Sequence, residues 1–162
     1  LECRVGNVSD VEKYARKDFF VVLLKRFLSE EQDFVCLCIL YSILDNVEHK
    51  AQREMFKLFG SSHITKLISL LGSEEWELQV YSATILNHVT KRFKRESSLT
   101  RFFSAESIKC LLQQHDWFEK NSLTGEQADE LFEALENLKE KLPKMYATTV
   151  GLLSGPCGEF PS

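Results

Sequence analysis

At 162 residues the chain is long enough for one domain with a sizeable core, since a fold of this length hides about 68–70% of the surface its unfolded form exposes. Hydrophobic residues at 44% and charged residues at 27% exclude a disordered composition, and a formal net charge of −4 argues against a protein that grips nucleic acid mainly through phosphates. The longest apolar stretch, Phe34 to Tyr41, is far short of the roughly 18 residues that span a bilayer, so no membrane span is expected.

In chain order, Leu1 opens without an initiator Met or a signal pattern, as if cut from a longer protein. Ser9-Asp10-Val11-Glu12 is a capping box, in which the hydroxyl and the carboxylate satisfy each other's backbone N–H groups. The sequon Asn7-Val8-Ser9 beside it reads as chance. From Val8 to Leu142 there is no proline and glycine occurs only at positions 60, 72 and 125, so the chain reads as helical throughout. Ser73-Glu74-Glu75-Trp76-Glu77 places a hydroxyl and three carboxylates at a second helix start, where they suit the helix dipole. Thr124-Gly125-Glu126-Gln127 is a third start, with Gln127 in the reciprocal role. The helix that follows carries Ala128, Leu131, Leu135, Leu138 and Leu142 three and four apart, with Phe132 beside them. This stripe is expected to pack on the same domain rather than in a coiled coil. All three prolines lie beyond it, so residues 1–142 read as a helical domain and 143–162 as an irregular tail, dispensable for folding.

The most informative feature is self-similarity. Phe20-Val21-Val22-Leu23-Leu24 is echoed 44 residues later by Ile64-Thr65-Lys66-Leu67-Ile68, and after another 44 by Ile108-Lys109-Cys110-Leu111-Leu112. Between them, Ile43-Leu44-Asp45-Asn46-Val47 matches Ile85-Leu86-Asn87-His88-Val89, 42 residues on. Ser29-Glu30-Glu31 and Ser73-Glu74-Glu75 are 44 apart. A helical period in the low forties reflects units that cannot bury an apolar face alone and must stack.

Gly60 followed by Ile64-Thr65-Lys66-Leu67-Ile68-Ser69-Leu70-Leu71, then Leu78-Gln79-Val80-Tyr81-Ser82-Ala83-Thr84-Ile85-Leu86-Asn87-His88-Val89, resembles an armadillo unit of glycine turn, short helix and long helix. The resemblance covers about Val11 to Gln114, after which His115-Asp116-Trp117-Phe118 departs from the pattern and reads as a capping helix pair. It implies an all-α, armadillo-like α-solenoid fragment of about two repeats plus helical caps. It further implies a groove along the long helices. Where importin-type arrays place a Trp and an Asn one turn apart, this chain has Ser42 with Asn46 and Thr84 with His88, so nuclear-signal binding by that mechanism is not expected.

No residue cluster carries catalysis. The glycines are scattered, and there is no nucleophile elbow, phosphate loop or kinase-like motif. His49, His63, His88 and His115 lie far apart and without i, i+4 ligand partners, so no metal or cofactor is expected. Five cysteines with no CxxC spacing suggest reduced thiols in a cytoplasmic or nuclear protein, and Cys36 and Cys38 point about 200° apart on a helix. The basic cluster Lys91, Arg92, Lys94 and Arg95, followed by Arg101, reads as a solvated turn or as a patch for acidic residues of a partner. The resulting expectation is a protein-interaction module, not an enzyme, binding a protein or peptide segment along a groove lined by Ser42, Asn46, Thr84 and His88. A shallow strip suits no small-molecule substrate. The alternative is a structural segment of a larger multidomain scaffold with no groove ligand of its own. Leu67, Leu71, Ile85 and Leu86 are expected in the core.

Overall fold

Leucine-rich segments without breakers close their backbone hydrogen bonds locally and then must cover their apolar stripes. In the computed structural model, which describes residues 18–29, 33–121 and 125–153, they do so as helices, with no strand among the described residues. These are α1 (Asp18–Ser29), α2 (Asp33–Asp45), α3 (His49–Phe56), α4 (Ser61–Leu70), α5 (Trp76–Arg92), the single turn α6 (Glu96–Leu99), α7 (Ala105–Lys120), α8 (Glu126–Lys141) and α9 (Pro143–Leu153). The Ser9–Glu12 box, Glu30, Glu31 and Thr124 lie outside the described residues.

The helices form two rows. In one, α4 touches both α1 and α7; in the other, α5 touches both α2 and α8. Between the rows, α1 packs on α2, α4 on α5 and α7 on α8. Side-chain pairs fix the direction of the second row. Tyr41 and Asp45 of α2 meet Tyr81 and His88 of α5. Gln79, Asn87 and Thr90 of α5 meet Gln127, Glu130 and Asn137 of α8. Partners ascend together in both sets, so α2, α5 and α8 run parallel.

The core is aliphatic and phenylalanine-rich. Phe20, Phe56 and Phe59 cluster with centroids 5.2 to 6.0 Å apart, and Phe103 and Phe118 are fully enclosed. Leu67, Leu71, Ile85 and Leu86 are buried as expected, and so is the stripe from Ala128 to Leu142, which packs within the domain. Phe132, on the edge of that stripe, is exposed. His63 ties the start of α4 to α1. Its Nδ1 accepts from the Gly60 N–H at 2.9 Å and its Nε2 lies 3.2 Å from the Leu24 carbonyl. That pattern requires a neutral ring with the proton on Nε2.

Two local readings are corrected, and the helix start expected at Ser73–Glu77 is found in place. The segment after Leu142 is helical to Leu153 rather than irregular, because Pro143 stands at the first helical position, where its missing N–H leaves no bond unmade. Met145 and Tyr146 pack against the core, and the buried Thr149 hydroxyl donates to the Met145 carbonyl. The fifth helix starts at Trp76, with Ser73 Oγ accepting from the Glu75 N–H ahead of it. At the start of α8 the cap is Gly125, whose φ of 143° suits glycine alone, and Gln127 turns away to donate to Gln79. In addition, α7 runs unbroken through His115-Asp116-Trp117-Phe118.

Replacing Leu86 by Ala should cost about 2–5 kcal/mol in unfolding free energy, since the site is closed on all sides. A denaturant titration giving less than about 0.5 kcal/mol would refute this packing. Ending the chain at Leu142 should lower the thermal midpoint by at least about 5 °C, from the lost burial of Met145, Tyr146 and Thr149. An unchanged midpoint would show that α9 adds nothing.

Candidate functional site

Successive residues of a helix lie about 100° apart, so Glu77, Tyr81, Thr84, His88 and Lys91 share one side of α5. That side is the most open part of α5 between α2 and α8: Glu77 is exposed, Tyr81, His88 and Lys91 are half-buried, and Thr84 is closed over. The rings of Tyr41 and Tyr81 stack at 4.3 Å, 20° from coplanar. Burial pushes the Tyr41 phenol up, and the negative charges of Asp45, Glu126 and Glu130 push it further. Burial and the Glu77 carboxylate together raise the Cys38 thiol.

The flank toward α8 is a polar seam. Asn87, fully buried, donates from Nδ2 to Glu130 and to Glu133, each at 2.9 Å, and its Oδ1 accepts from Asn137 at 3.3 Å. Asn137 also donates to Thr90 Oγ1 at 2.9 Å. Lys91 Nζ lies 3.2 Å from Glu133. The Asn87 hydrogen bonds hold the Glu133 carboxyl below its usual range, against the opposing effect of partial burial, and Lys91 adds to the depression.

Of the four groove residues expected from sequence, the structure brings two together. Thr84 and His88 lie on the same side of α5, but Thr84 is only 5% exposed and its Oγ1 has no partner. His88 is half-buried. Its Nε2 stands 3.5 Å from Asp45, an ion pair once the ring is protonated and too long for a good bond while neutral. Burial lowers the His88 pKa, Asp45 counteracts this, and Arg92 and Lys91 add to the depression. Ser42 lies on the exposed outer side of α2, about 100° round from Tyr41, and Asn46, exposed just past the end of the helix, donates from Nδ2 back to the Ser42 carbonyl at 2.7 Å. Tyr41, Tyr81 and Asp45 take their place beside Thr84 and His88. The repeated Tyr-Ser at 41–42 and 81–82 was the available signal, with the tyrosine rather than the serine on the shared face.

The basic cluster divides. Lys91 is held by Glu133, and Arg92 Nε donates to Gln52 Oε1 at 2.7 Å, while Lys94 and Arg95 are exposed. Gln52 is itself buried and donates to the Leu44 carbonyl at the end of α2. From α8, Lys141 reaches in to donate to the Thr90 and Phe93 carbonyls. Burial lowers its pKa, and the charges of Lys94 and Arg92 lower it further against an opposing push from Glu140. Arg53 of α3 lies over the Phe93 ring at 5.6 Å. Cations from four parts of the chain therefore meet where α5 ends.

Both His63 and His88 have pKa values lowered by burial below the ordinary 6.5. The unfolded chain then binds protons that the native state does not, so stability is full above pH 6.5 and falls as pH drops from there through the native values. Denaturant midpoints measured between about pH 7 and 5 should decline, and a His63→Gln, His88→Gln variant should decline less. Parallel pH profiles would show that other groups account for the loss. Compared with known protein families, curated proteins and solved structures, the chain gives no match.

Proposed function

We propose that the chain is a protein-interaction module built as an armadillo-like α-solenoid fragment, seating a peptide segment of a partner protein along the outward side of α5. The parallel order of α2, α5 and α8 carries this reading, because it repeats one face three times side by side. Three such helices leave a shallow strip, about 25 Å long from the 17 residues of α5. An extended segment covers that length in about seven or eight residues. Tyr41 and Tyr81 supply flat, rigid contact area at low entropic cost, as interface anchors do.

A second reading, a segment stacked into a larger scaffold, is favoured by one observation. Phe19 and Val22 of α1 and Phe34 and Val35 of α2 are exposed at the other edge of the rows, beside a hollow of about 230 Å³ lined by Phe19, Val22, Leu23, Arg26, Val35, Cys36 and Ile39. Neighbouring helices stacked there would use that edge and leave the α5 side free.

Selection from a random-peptide display library tests the first reading. An enriched peptide should lose at least about tenfold in affinity with Tyr41→Ala, Tyr81→Ala, the scale of losing aromatic anchors. It should keep its affinity with Phe19→Ser, Val22→Ser. Equal binding by the tyrosine variant, with its helical circular dichroism intact, would remove the α5 side as the seat.

A further inference from the structure

Where α5 ends, cations from distant parts of the chain gather around one aromatic pair. Phe93 and Phe102 lie 5.5 Å apart, with the Arg53 guanidinium 5.6 Å over the first ring and the Arg101 guanidinium 4.9 Å over the second. Gln52 Oε1 accepts from Arg92 Nε, and Lys141 donates to the Thr90 and Phe93 carbonyls. Lys94 and Arg92 are near enough to Lys141 to lower its pKa, and Arg95 stands exposed beside Lys94. The carboxylates around them are engaged elsewhere. Asp45 faces His88, Glu133 faces Asn87 and Lys91, and Glu54 pairs with Lys57. Among the described residues no carboxylate lies within ion-pair distance of Arg53, Arg92, Lys94, Arg95 or Arg101. The ends of α3, α5 and α8 meet here, and each helix dipole supplies roughly half a negative charge. The dipoles therefore answer for fewer than two of the six cations just named, and the exposed Glu96 and Glu140 at the rim for two more. A positive surplus remains, in a chain whose net charge is −4.

We propose that this cluster is a second binding site, separate from the α5 strip, for a phosphorylated serine or threonine in a segment of a partner protein. Arg53 and Arg101 lie over aromatic rings, so their long side chains are already ordered and their N–H edges remain to donate. Arg92 is fixed through Nε alone, which leaves its two terminal nitrogens as donors. A phosphate ester carries close to two negative charges at pH 7 and three strong acceptor oxygens, and its geometry matches the guanidinium fork. A single aspartate or glutamate brings half that charge, too little for several convergent arginines. The extent of the cluster argues against a nucleic-acid backbone. Glu96 and Glu140 bound it, so a compact dianion fits where an extended chain of phosphates would run on into carboxylates.

The probe is a fluorescein-labelled peptide mixture with one fixed phosphoserine flanked by randomised residues, followed by anisotropy. Wild type should bind it at least about tenfold more tightly than the same mixture with serine or glutamate at the fixed position. Lys94→Glu, Arg95→Glu should weaken it at least about tenfold; both positions are exposed, and circular dichroism checks the fold. Should charge reversal unfold the chain, Lys94→Gln, Arg95→Gln takes its place with a smaller loss in the same direction. Amide resonances of Arg92 to Arg95 and of Arg101 should shift on addition of the phosphopeptides. Tyr41→Ala, Tyr81→Ala should leave this binding unchanged, which separates the site from the α5 strip. Equal binding of the glutamate mixture, unchanged affinity in the basic variants, or loss of binding with the tyrosine variant would each overturn the proposal. So would tighter binding of an oligouridylate, or of vesicles containing a phosphoinositide, than of the phosphopeptides. None of these outcomes touches the α5 strip, whose own test is the dependence of display-selected peptides on Tyr41 and Tyr81.

Discussion

Asn87 is the residue on which the arrangement of α5 and α8 depends. It is buried within the largest helix–helix contact among the described residues, and its amide is bonded to Glu130, Glu133 and Asn137. An aliphatic contact there would be content with several sliding positions. An amide with two carboxylates and a second amide is satisfied in one register, because any shift leaves buried polar atoms unpaired. The outward side of α5 inherits its geometry from this. With Glu130 and Glu133 held against Asn87, their charge is fixed at the edge of the strip, and Lys91 is drawn to Glu133. The stacking of Tyr41 on Tyr81 sets the opposite edge.

The structure also carries polar groups that the fold alone does not use. Ser82, Thr84 and both ring nitrogens of His88 are enclosed without hydrogen-bond partners. Two of these three residues lie on the outward side. His63 is the contrasting case, a histidine of similar setting whose two nitrogens are engaged by Gly60 and Leu24, so that it serves the fold as a tie between α1 and α4.

Much of the fold was legible in the sequence because it was written in composition and spacing. The absence of breakers before Pro143 gave the helices, and the recurrence of apolar residues at 44-residue intervals marked which helices occupy equivalent places. Leu67, Leu71, Ile85 and Leu86 followed from that register. What was not legible depended on contacts between distant residues. Pro143 looks like a terminator until α9 is seen to begin on it, since the same residue ends one helix and opens another. Ser42 and Asn46 were placed by analogy with a repeat pattern, but the facing of a helix is decided by its neighbours. In α2 those neighbours turn Tyr41 and Asp45 toward α5 and leave the serine and asparagine on the outer side. The gathering of Arg53 and Lys141 around the basic turn needed the full three-dimensional fold, because they are separated from it by some forty residues in either direction.

The polar nature of the α5–α8 seam bears on how the chain emerges during synthesis. Lys141, the last residue of α8, follows Arg92, the last of α5, by 49 positions. At a translation rate of about 5–20 residues per second, α5 waits roughly 2–10 seconds for its partner. Through that interval Gln79, Asn87 and Thr90 remain hydrated, whereas leucines in the same places would offer a sticky face to other nascent chains. The seam therefore tolerates delay, and α8 closes over a surface that water has kept clean.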